Sequence, residues 1–386
     1  MPSVRRGDTG EASRRASRAP KNPTIVDVAA AAGVSKSTVS NVVRGVDDVA
    51  DTTRERVLQV MRRLNYKPNA IARQFAQQRT TMLGVLVGDL DNPYYAQMAR
   101  VVERQAFRRG YTAMFCNIEG DEDIAVAGVE ALLEHRIAGV VFLAFIARTP
   151  QLEASLRRAD VPIVFLGLSE DWGDSVGPQD AEGVKLAVQH LLELGHRRIG
   201  YVRTPLVERS GDGARYAGYR SAMRQAGEPA IAAIQWEPGA ANVRLGRRAM
   251  PLSDLLRSDG DQPAPTALFV SNDIGAIAMM EACEAAGVRV PGELSIVGFD
   301  DIAIASLGRI SLTTVAQPLE FQAETAVHLL LDRIAQPRLR PRHVSVPVEL
   351  RVRSSTAPPK SATAARRRAS RSRGRPGARS LKSATD

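Results

Sequence analysis

"TIVDVAAAAGVSKSTVSNVV", residues 24–43, is the first organised stretch of this 386-residue chain, and its reading decides what the rest is for. Its small and β-branched residues suit a buried strand, a core helix pair, or two helices that read DNA. The spacing favours helices. Thr24 stands where an N-cap is wanted, with Ile25, Val28 and Ala29 at helical intervals behind it. Gly33 supplies the conformational freedom of a tight inter-helix turn, and Ser35 can cap a second helix. Val39, Val42 and Val43 then share the face that packs on the first helix. Lys36, Ser37, Thr38, Ser40 and Asn41 are left pointing outward. They are short hydrogen-bonding side chains and one cation, residue types that meet base edges and phosphates in a major groove. Taken alone, the stretch fits a plain helical hairpin with a solvated face equally well.

The residues beyond Val43 decide between these readings. Thr52 or Thr53 is expected to cap a third helix running to about Leu64, with Val57, Val60, Met61 and Leu64 as its apolar stripe. Then comes "NYKPNAIARQFA" (65–76). Joined to "TIVDVAAAAGVSKSTVSNVVRG", this closely resembles the head of the lactose-repressor (LacI/GalR) family of bacterial transcription factors. The shared positions run from Thr24 through Asp27-Val28-Ala29, Ala32-Gly33-Val34-Ser35 and Thr38-Val39-Ser40 to Leu64-Asn65-Tyr66, Pro68-Asn69 and Ala72-Arg73. The resemblance implies a helix-turn-helix domain over 23–67, followed by a hinge helix and linker over 68–80. It also implies that Asn69, Ala72, Arg73 and Phe75 lie at the DNA minor groove. Phe75 stands where the family carries a leucine that wedges between base steps. An apolar ring suits that task, and the alternative is a Phe75 packed between two subunits.

Charge is partitioned along the chain. Residues 1–22 carry a net +4, residues 23–79 another +4 and residues 357–386 a net +8, leaving 80–356 at −6. The two ends, rich in Arg, Ser, Ala, Pro and Gly, have too few apolar residues to build a core and are expected to be disordered basic arms. Such asymmetry points to a polyanionic partner and to salt-sensitive, sequence-independent affinity for it. Cys116 and Cys283 lie far apart in apolar surroundings, which excludes a disulfide framework and fits a reducing compartment. The five histidines have no metal-ligand spacing, so neither a metal nor a cofactor is expected. There is no apolar run of the roughly 18 residues a membrane span needs, and no apolar core after the early arginines. A cytoplasmic protein without membrane contact is the expectation.

Beyond Thr80 the pattern changes to short apolar runs between helical stretches: "MLGVLVG" (82–88), "TAMFCN" (112–117), "AGVVFLA" (138–144), "PIVFLG" (162–167), "RIGYVR" (198–203), "TALFVS" (266–271) and "LSIVGFD" (294–300). Such runs predict parallel sheets covered on both faces, and their number predicts two such units with a cleft between them. The family resemblance continues over 80–356 through "LGVLVGDLDNPYY", "ARYAGYRSAM", "TALFVSNDIGAIAM", "GVRVPGELSIVGFDDI" and "LTTVAQP". The expected fold is therefore an all-α helix-turn-helix head plus an α/β body of two Rossmann-like, periplasmic-binding-protein-like subdomains. The expected effector and dimerisation domain is 81–356, with an N-subdomain of about 81–178 and 318–346 and a C-subdomain of about 179–317 and 347–356.

Several runs end in a polar residue, where open α/β sheets bind ligands. The resemblance carries polar effector contacts onto Arg215, Asn272 and Asp300, an aromatic beside the ligand onto Trp236, a crossover residue onto Gln317, and N-terminal-side candidates onto Asp91 and Tyr95. Arginine's fork of donors, an amide, a carboxylate and an aromatic face together suit a polyhydroxylated ring. Each also has a bland reading: Asn272 or Ser271 as a helix cap, Asp300 in a loop ion pair. Asp174 and Arg203 read as surface charges. Gly167, Gln179, Glu208 and Arg209 depart from the family pattern, which suggests an effector other than an unmodified hexose, for example a sugar acid or phosphorylated sugar. No G-x-S-x-G, P-loop or G-x-G-x-x-G opening a helix is present, so an enzyme is not expected. The sum is a homodimeric regulator, a repressor, that binds a near-palindromic double-stranded DNA operator under the control of a small-molecule effector. With no leucine heptad in the C-terminal tail, a dimer rather than a tetramer is expected.

Overall fold

The computed structural model describes residues 23–46, 48–66, 80–144, 149–167, 172–203, 213–240, 242–245, 248–257 and 264–360. The chain divides into two compact units between Thr80 and Thr81. In the first, α1 (Ile25–Ala32) opens on a capping box: Thr24 Oγ1 accepts from the Asp27 amide, and the Thr24 amide donates to Asp27 Oδ2 at 2.7 Å. Gly33 closes the helix at φ 63°, a left-handed conformation that a side chain would strain. Ser35 caps α2 (Lys36–Arg44), and α3 (Asp51–Arg63) crosses both. This third helix starts before the threonines expected to cap it. Its N-cap is Ala50, which makes no side-chain bond, and Thr52 and Thr53 lie within its first turn. Val28, Ala29 and Ala32 of α1, Val39 and Val42 of α2, and Val57 and Val60 of α3 close one small core. The hinge positions Asn69, Ala72, Arg73 and Phe75 lie outside the described residues, as do Glu208, Arg209, residues 1–22 and residues 361–386.

The second unit holds two sheets. One has the order β13-β5-β4-β3-β1-β2, built from β1 (Met82–Val87), β2 (Thr112–Asn117), β3 (Gly139–Leu143), β4 (Ile163–Leu166), β5 (Asp174–Pro178) and β13 (His343–Val346). Every neighbouring pair in it is parallel. The other runs β14-β12-β11-β10-β6-β7-β8-β9. Its strands are β6 (Ile199–Arg203), β7 (Ile234–Gln235), β8 (Asn242–Leu245), β9 (Arg248–Pro251), β10 (Ala267–Val270), β11 (Ser295–Asp300), β12 (Thr313–Ala316) and β14 (Glu349–Arg351). Here the parallel expectation holds only for the middle. β14 pairs antiparallel with β12, and β7, β8 and β9 form an antiparallel meander at the far edge. The central strands β1, β3, β4, β10 and β11 are buried almost throughout, as near-continuous apolar runs require when helices cover both faces.

The helices that place functional groups are α4 (Pro93–Arg108) after β1, α7 (Asp180–Glu193) after β5, α8 (Gly213–Gln225), α10 (Asp273–Ala285) after β10, and α11 (Leu319–Ala335) after β12. Between β1 and β6 lie also α5 (Glu122–Glu134) and α6 (Pro150–Arg158), and α9 (Leu252–Arg257) follows β9. The chain passes between the sheets three times: after β5 into α7, after β12 into α11, and from β13 to β14. Two expectations need correction. Asp174, read as a surface charge, is wholly buried at the start of β5, held by Arg333 at 2.7 Å and Arg342 at 2.9 Å. Residues 357–360, assigned to the basic tail, belong to the body. The Ala357 carbonyl accepts from Ser295 Oγ at 3.0 Å and lies 2.8 Å from His196 Nε2, and Lys360 pairs with Glu293 at 2.5 Å.

Candidate functional site

On the head, α2 turns its valines inward and its polar residues outward. Lys36 and Ser37 are exposed, and Thr38, Ser40 and Asn41 are half-buried. Ser35 Oγ accepts from the Thr38 amide at 3.0 Å and lies within hydrogen-bond distance of the Ser37 and Thr38 hydroxyls. The first turn of the helix is thereby fixed. Arg44 donates to Asn41 Oδ1. The outward face thus carries a cation at each end with hydroxyls and an amide between them, an arrangement that can meet phosphates and base edges together.

In the body, ionisable and amide groups gather at the C-terminal ends of strands. Arg215, on α8, is the hub. Its Nε donates to Asp180 Oδ1 at 2.7 Å, its Nη1 donates to the Ser271 carbonyl at 2.5 Å, and its guanidinium carbon lies 3.7 Å from the centre of the Phe299 ring. These partners belong to the start of α7, the loop after β10 and strand β11, so three elements hold one side chain that is only 7% exposed. Asp300 ends β11 and accepts from Gln317 Nε2 at 2.7 Å, while Gln317 Oε1 accepts from Gln322 Nε2 on α11. Gln317 therefore joins the strand end of one sheet to the helix covering the other. Asp300 has φ 127° and Asp301 φ 57°, backbone conformations that cost a non-glycine residue about 1–3 kcal/mol and are kept only under firm constraint. Burial pushes the Asp300 carboxyl well above the usual range; Arg215 pulls it back, and Asp273 and Asp180 push it further up.

Two contributors were not legible in the sequence. Asp273, the first residue of α10, is wholly buried and accepts from Thr314 Oγ1 at 2.5 Å and from the Ile302 amide at 2.9 Å. Gly298 leaves room for it, because a Cβ there would collide with Asp273 Oδ1. Burial raises its pKa to about 6. Tyr94, near the start of α4, has a buried hydroxyl with no hydrogen-bond partner among the described residues. Burial raises its pKa well above the ordinary phenol value, and the charges of Asp300, Arg215 and Asp180 all act on it. A side chain from the β1 side thus reaches the electrostatic field of groups on the β11 side.

The remaining expected residues fall differently. Tyr95 packs edge-on against Tyr94 at 5.3 Å and lies against Gly88 at the end of β1. Asp91 stands exposed in the loop between β1 and α4. Asn272 is the N-cap of α10, its Oδ1 accepting from the Gly275 amide at 2.8 Å, so the bland reading of that side chain is realised. Trp236, expected beside the ligand, is a core residue. It sits in one apolar cluster with Ile234, Val243, Leu252 and Leu255, and its Nε1 donates to the Ala240 carbonyl at 3.0 Å.

A three-helix head with an outward polar helix, followed by a two-sheet body with buried ionisable groups at its strand ends, has the build of a DNA-binding regulator. Comparison with known proteins agrees. The model of bacterial regulatory proteins of the lacI family matches residues 24–69, and that of the periplasmic binding protein-like domain matches 188–356. The ribose operon repressor of Escherichia coli K12 is 35% identical over 336 residues, spanning 86% of this chain and 99% of that protein. The HTH-type transcriptional repressor PurR of Aliivibrio salmonicida is 33% identical over 81% of this chain and 92% of its own length. A lac repressor dimer bound to operator and an anti-inducer superposes with a TM-score of 0.75 at 28% identity, over 87% of this chain and all of that one. An Enterococcus faecium LacI family regulator with bound ribose superposes at 0.60 and 27% identity, over 72% of this chain. This chain belongs to the LacI family of bacterial regulatory proteins. It is a transcriptional regulator, in a family of regulators rather than enzymes, and no helix among its described residues is long and apolar enough to cross a membrane.

Proposed function

We propose that this chain is a cytoplasmic, homodimeric repressor without catalytic activity, whose grip on a near-palindromic operator is set by a sugar or sugar derivative bound in the body. The observation that carries this reading is the Arg215–Asp300–Gln317 group, with Tyr94 reaching it from the other sheet. A ligand held by groups from both sides binds two arrangements of those sides unequally, and unequal binding is what shifts an equilibrium between them. The relatives support the sugar assignment: one is named for a ribose operon, and one is a structure that holds ribose. On the DNA side, Lys36, Ser37, Thr38, Ser40 and Asn41 of each head would read a half-site in the major groove. Asn69, Ala72, Arg73 and Phe75 of two hinge segments would meet in the minor groove between, with Phe75 as the wedge.

Selection of binding sites from a random duplex library tests the DNA half. The full chain should enrich a two-fold symmetric sequence, and Asn41→Ala should relax the preference at one position of each half-site by about 1–3 kcal/mol per site. Enrichment of no sequence, or of an asymmetric one, would overturn the dimeric operator reading.

A further inference from the structure

Departures in the sequence suggest an anionic effector; the buried groups argue for the opposite. We propose that the effector is an uncharged, hydroxyl-rich molecule and that the site rejects the corresponding sugar acids and sugar phosphates. This rests on the reading of the Arg215–Asp300 group as the effector site.

The charge balance comes first. Among the described residues, the guanidinium that acts on Asp300 is that of Arg215, which is already paired with Asp180, while Asp273 and Asp180 both press on the Asp300 carboxyl. Asp301, next in the chain, has its own partner in Arg353 at 2.6 Å. An anion entering here would meet a guanidinium whose charge Asp180 already balances, beside carboxyl groups that added negative charge disfavours, in surroundings that screen poorly. The guanidinium is also committed. A phosphate or carboxylate is recognised by two parallel N–H donors of one fork. Arg215 already places Nε on Asp180 and Nη1 on the Ser271 carbonyl, with its face on Phe299. Giving up Asp180 to hold an anion would leave a carboxylate behind without its cation, a strongly unfavourable exchange.

Helix starts, the other ready source of anion donors, are occupied too. The first turn of α7 carries Asp180 and that of α10 carries Asp273, so each positive helix end already has its negative charge. At α10 the Gly275 amide is taken by Asn272 Oδ1, and at α4 the Tyr94 amide is taken by Asn92 Oδ1 at 3.1 Å. The groups that still ask for a partner are of another kind. Among the described residues, Gln322 Oε1 is a buried acceptor without a donor, and the Tyr94 hydroxyl is buried and unpartnered. Asp300 Oδ1 receives the Gln317 amide, and a carboxylate has capacity for further donors. Acceptors and a phenol together call for ligand O–H groups, which donate and accept at once. A neutral polyol supplies them without adding charge.

Titration calorimetry of the full chain against matched sets tests this: D-ribose, D-ribonate and D-ribose 5-phosphate, and D-glucose, D-gluconate and D-glucose 6-phosphate. The neutral member of one set should bind, with both anionic counterparts weaker by on the order of 100-fold, the scale of a like-charge juxtaposition. In Asp300→Asn that discrimination should narrow severalfold. An anionic member binding as tightly as its neutral parent, or tighter, overturns the proposal while leaving the effector site where it is. Neutral binding that Asp300→Asn and Arg215→Ala both leave unchanged shows that the ligand sits elsewhere, and then the site assignment falls along with the proposal. Binding by no member of either set overturns both.

Discussion

Asp273 shows how one buried carboxylate ties stability to pH. Its pKa of about 6 in the folded protein lies above the 3.8 of an exposed aspartate. Between those values the folded protein keeps a proton that the unfolded chain has lost, so stability falls as pH rises. The contribution is complete below about pH 4 and is gone above about pH 6, as much as about 3 kcal/mol in all. Asp273→Asn can keep the local geometry, its oxygen accepting from the Ile302 amide and its amide donating to Thr314 Oγ1. Thermal unfolding should therefore show the wild type losing Tm relative to the variant from pH 4 to 6.5, with a constant difference above; parallel curves would show that Asp273 does not titrate there. This residue was invisible in the sequence because "SND" offers three adjacent polar groups, and only packing decides that Asn272 caps while Asp273 is buried. Tyr94 and Tyr95 pose the same difficulty. They sit about 100° apart on one helix, both are buried, and periodicity does not say which hydroxyl comes under the charge of Asp300. Asp174 looked exposed because its partners, Arg333 and Arg342, lie 159 and 168 residues further along the chain. Arg215, Asp300 and Gln317, by contrast, were legible as candidates, because the helix start and strand ends on which they lie carry the family's pattern.

At the scale of elements, local chemistry did most of the work in the head. Thr24 with Asp27, Gly33 and Ser35 are start and stop signals that need no tertiary context, and α1 and α2 begin and end at them. The third helix broke the pattern, since Ala50 has no capping side chain and Arg54 instead reaches back to the Val46 carbonyl at 2.7 Å. Ser35→Ala removes the hydroxyl that holds the Thr38 amide and orders the start of α2. Chemical denaturation of the full chain, followed by a probe in the head, should show that transition destabilised by about 1 kcal/mol. A variant as stable as the parent would mean that water replaces the cap without loss. In the body, the continuous apolar strands were readable, and the polar or very short ones were not. "DSVGP" carries two polar residues and a proline, and β13 and β14 are only 4 and 3 residues long. Each owes its place to a neighbour: β5 lies between β4 and β13, and β14 lies along β12.

For the whole molecule, the division of charge is the dominant fact: an acidic body joined to a basic head and basic ends. Because residues 357–360 are fastened to the body, the clean truncation removes 361–386, with eight of the chain's Lys and Arg residues. If those residues touch phosphates, deleting them lowers the salt slope of DNA binding by about 0.9 for each phosphate no longer neutralised, with the preferred sequence unchanged. An unchanged slope would show that the segment neutralises no phosphate. The central claim is that one site in the body controls the head, and it is tested most directly by operator affinity measured by fluorescence anisotropy. The measurement is made with and without a saturating ligand whose binding calorimetry has established, in the wild type and in Arg215→Ala. The account predicts a ligand-dependent change of about 5- to 150-fold, the usual range of coupling between linked sites. It also predicts that Arg215→Ala abolishes this change while ligand-free operator affinity stays within about twofold, since the proposal puts the outward face of α2, and not Arg215, on the DNA. A ligand that binds the wild-type body and leaves operator affinity untouched would contradict it.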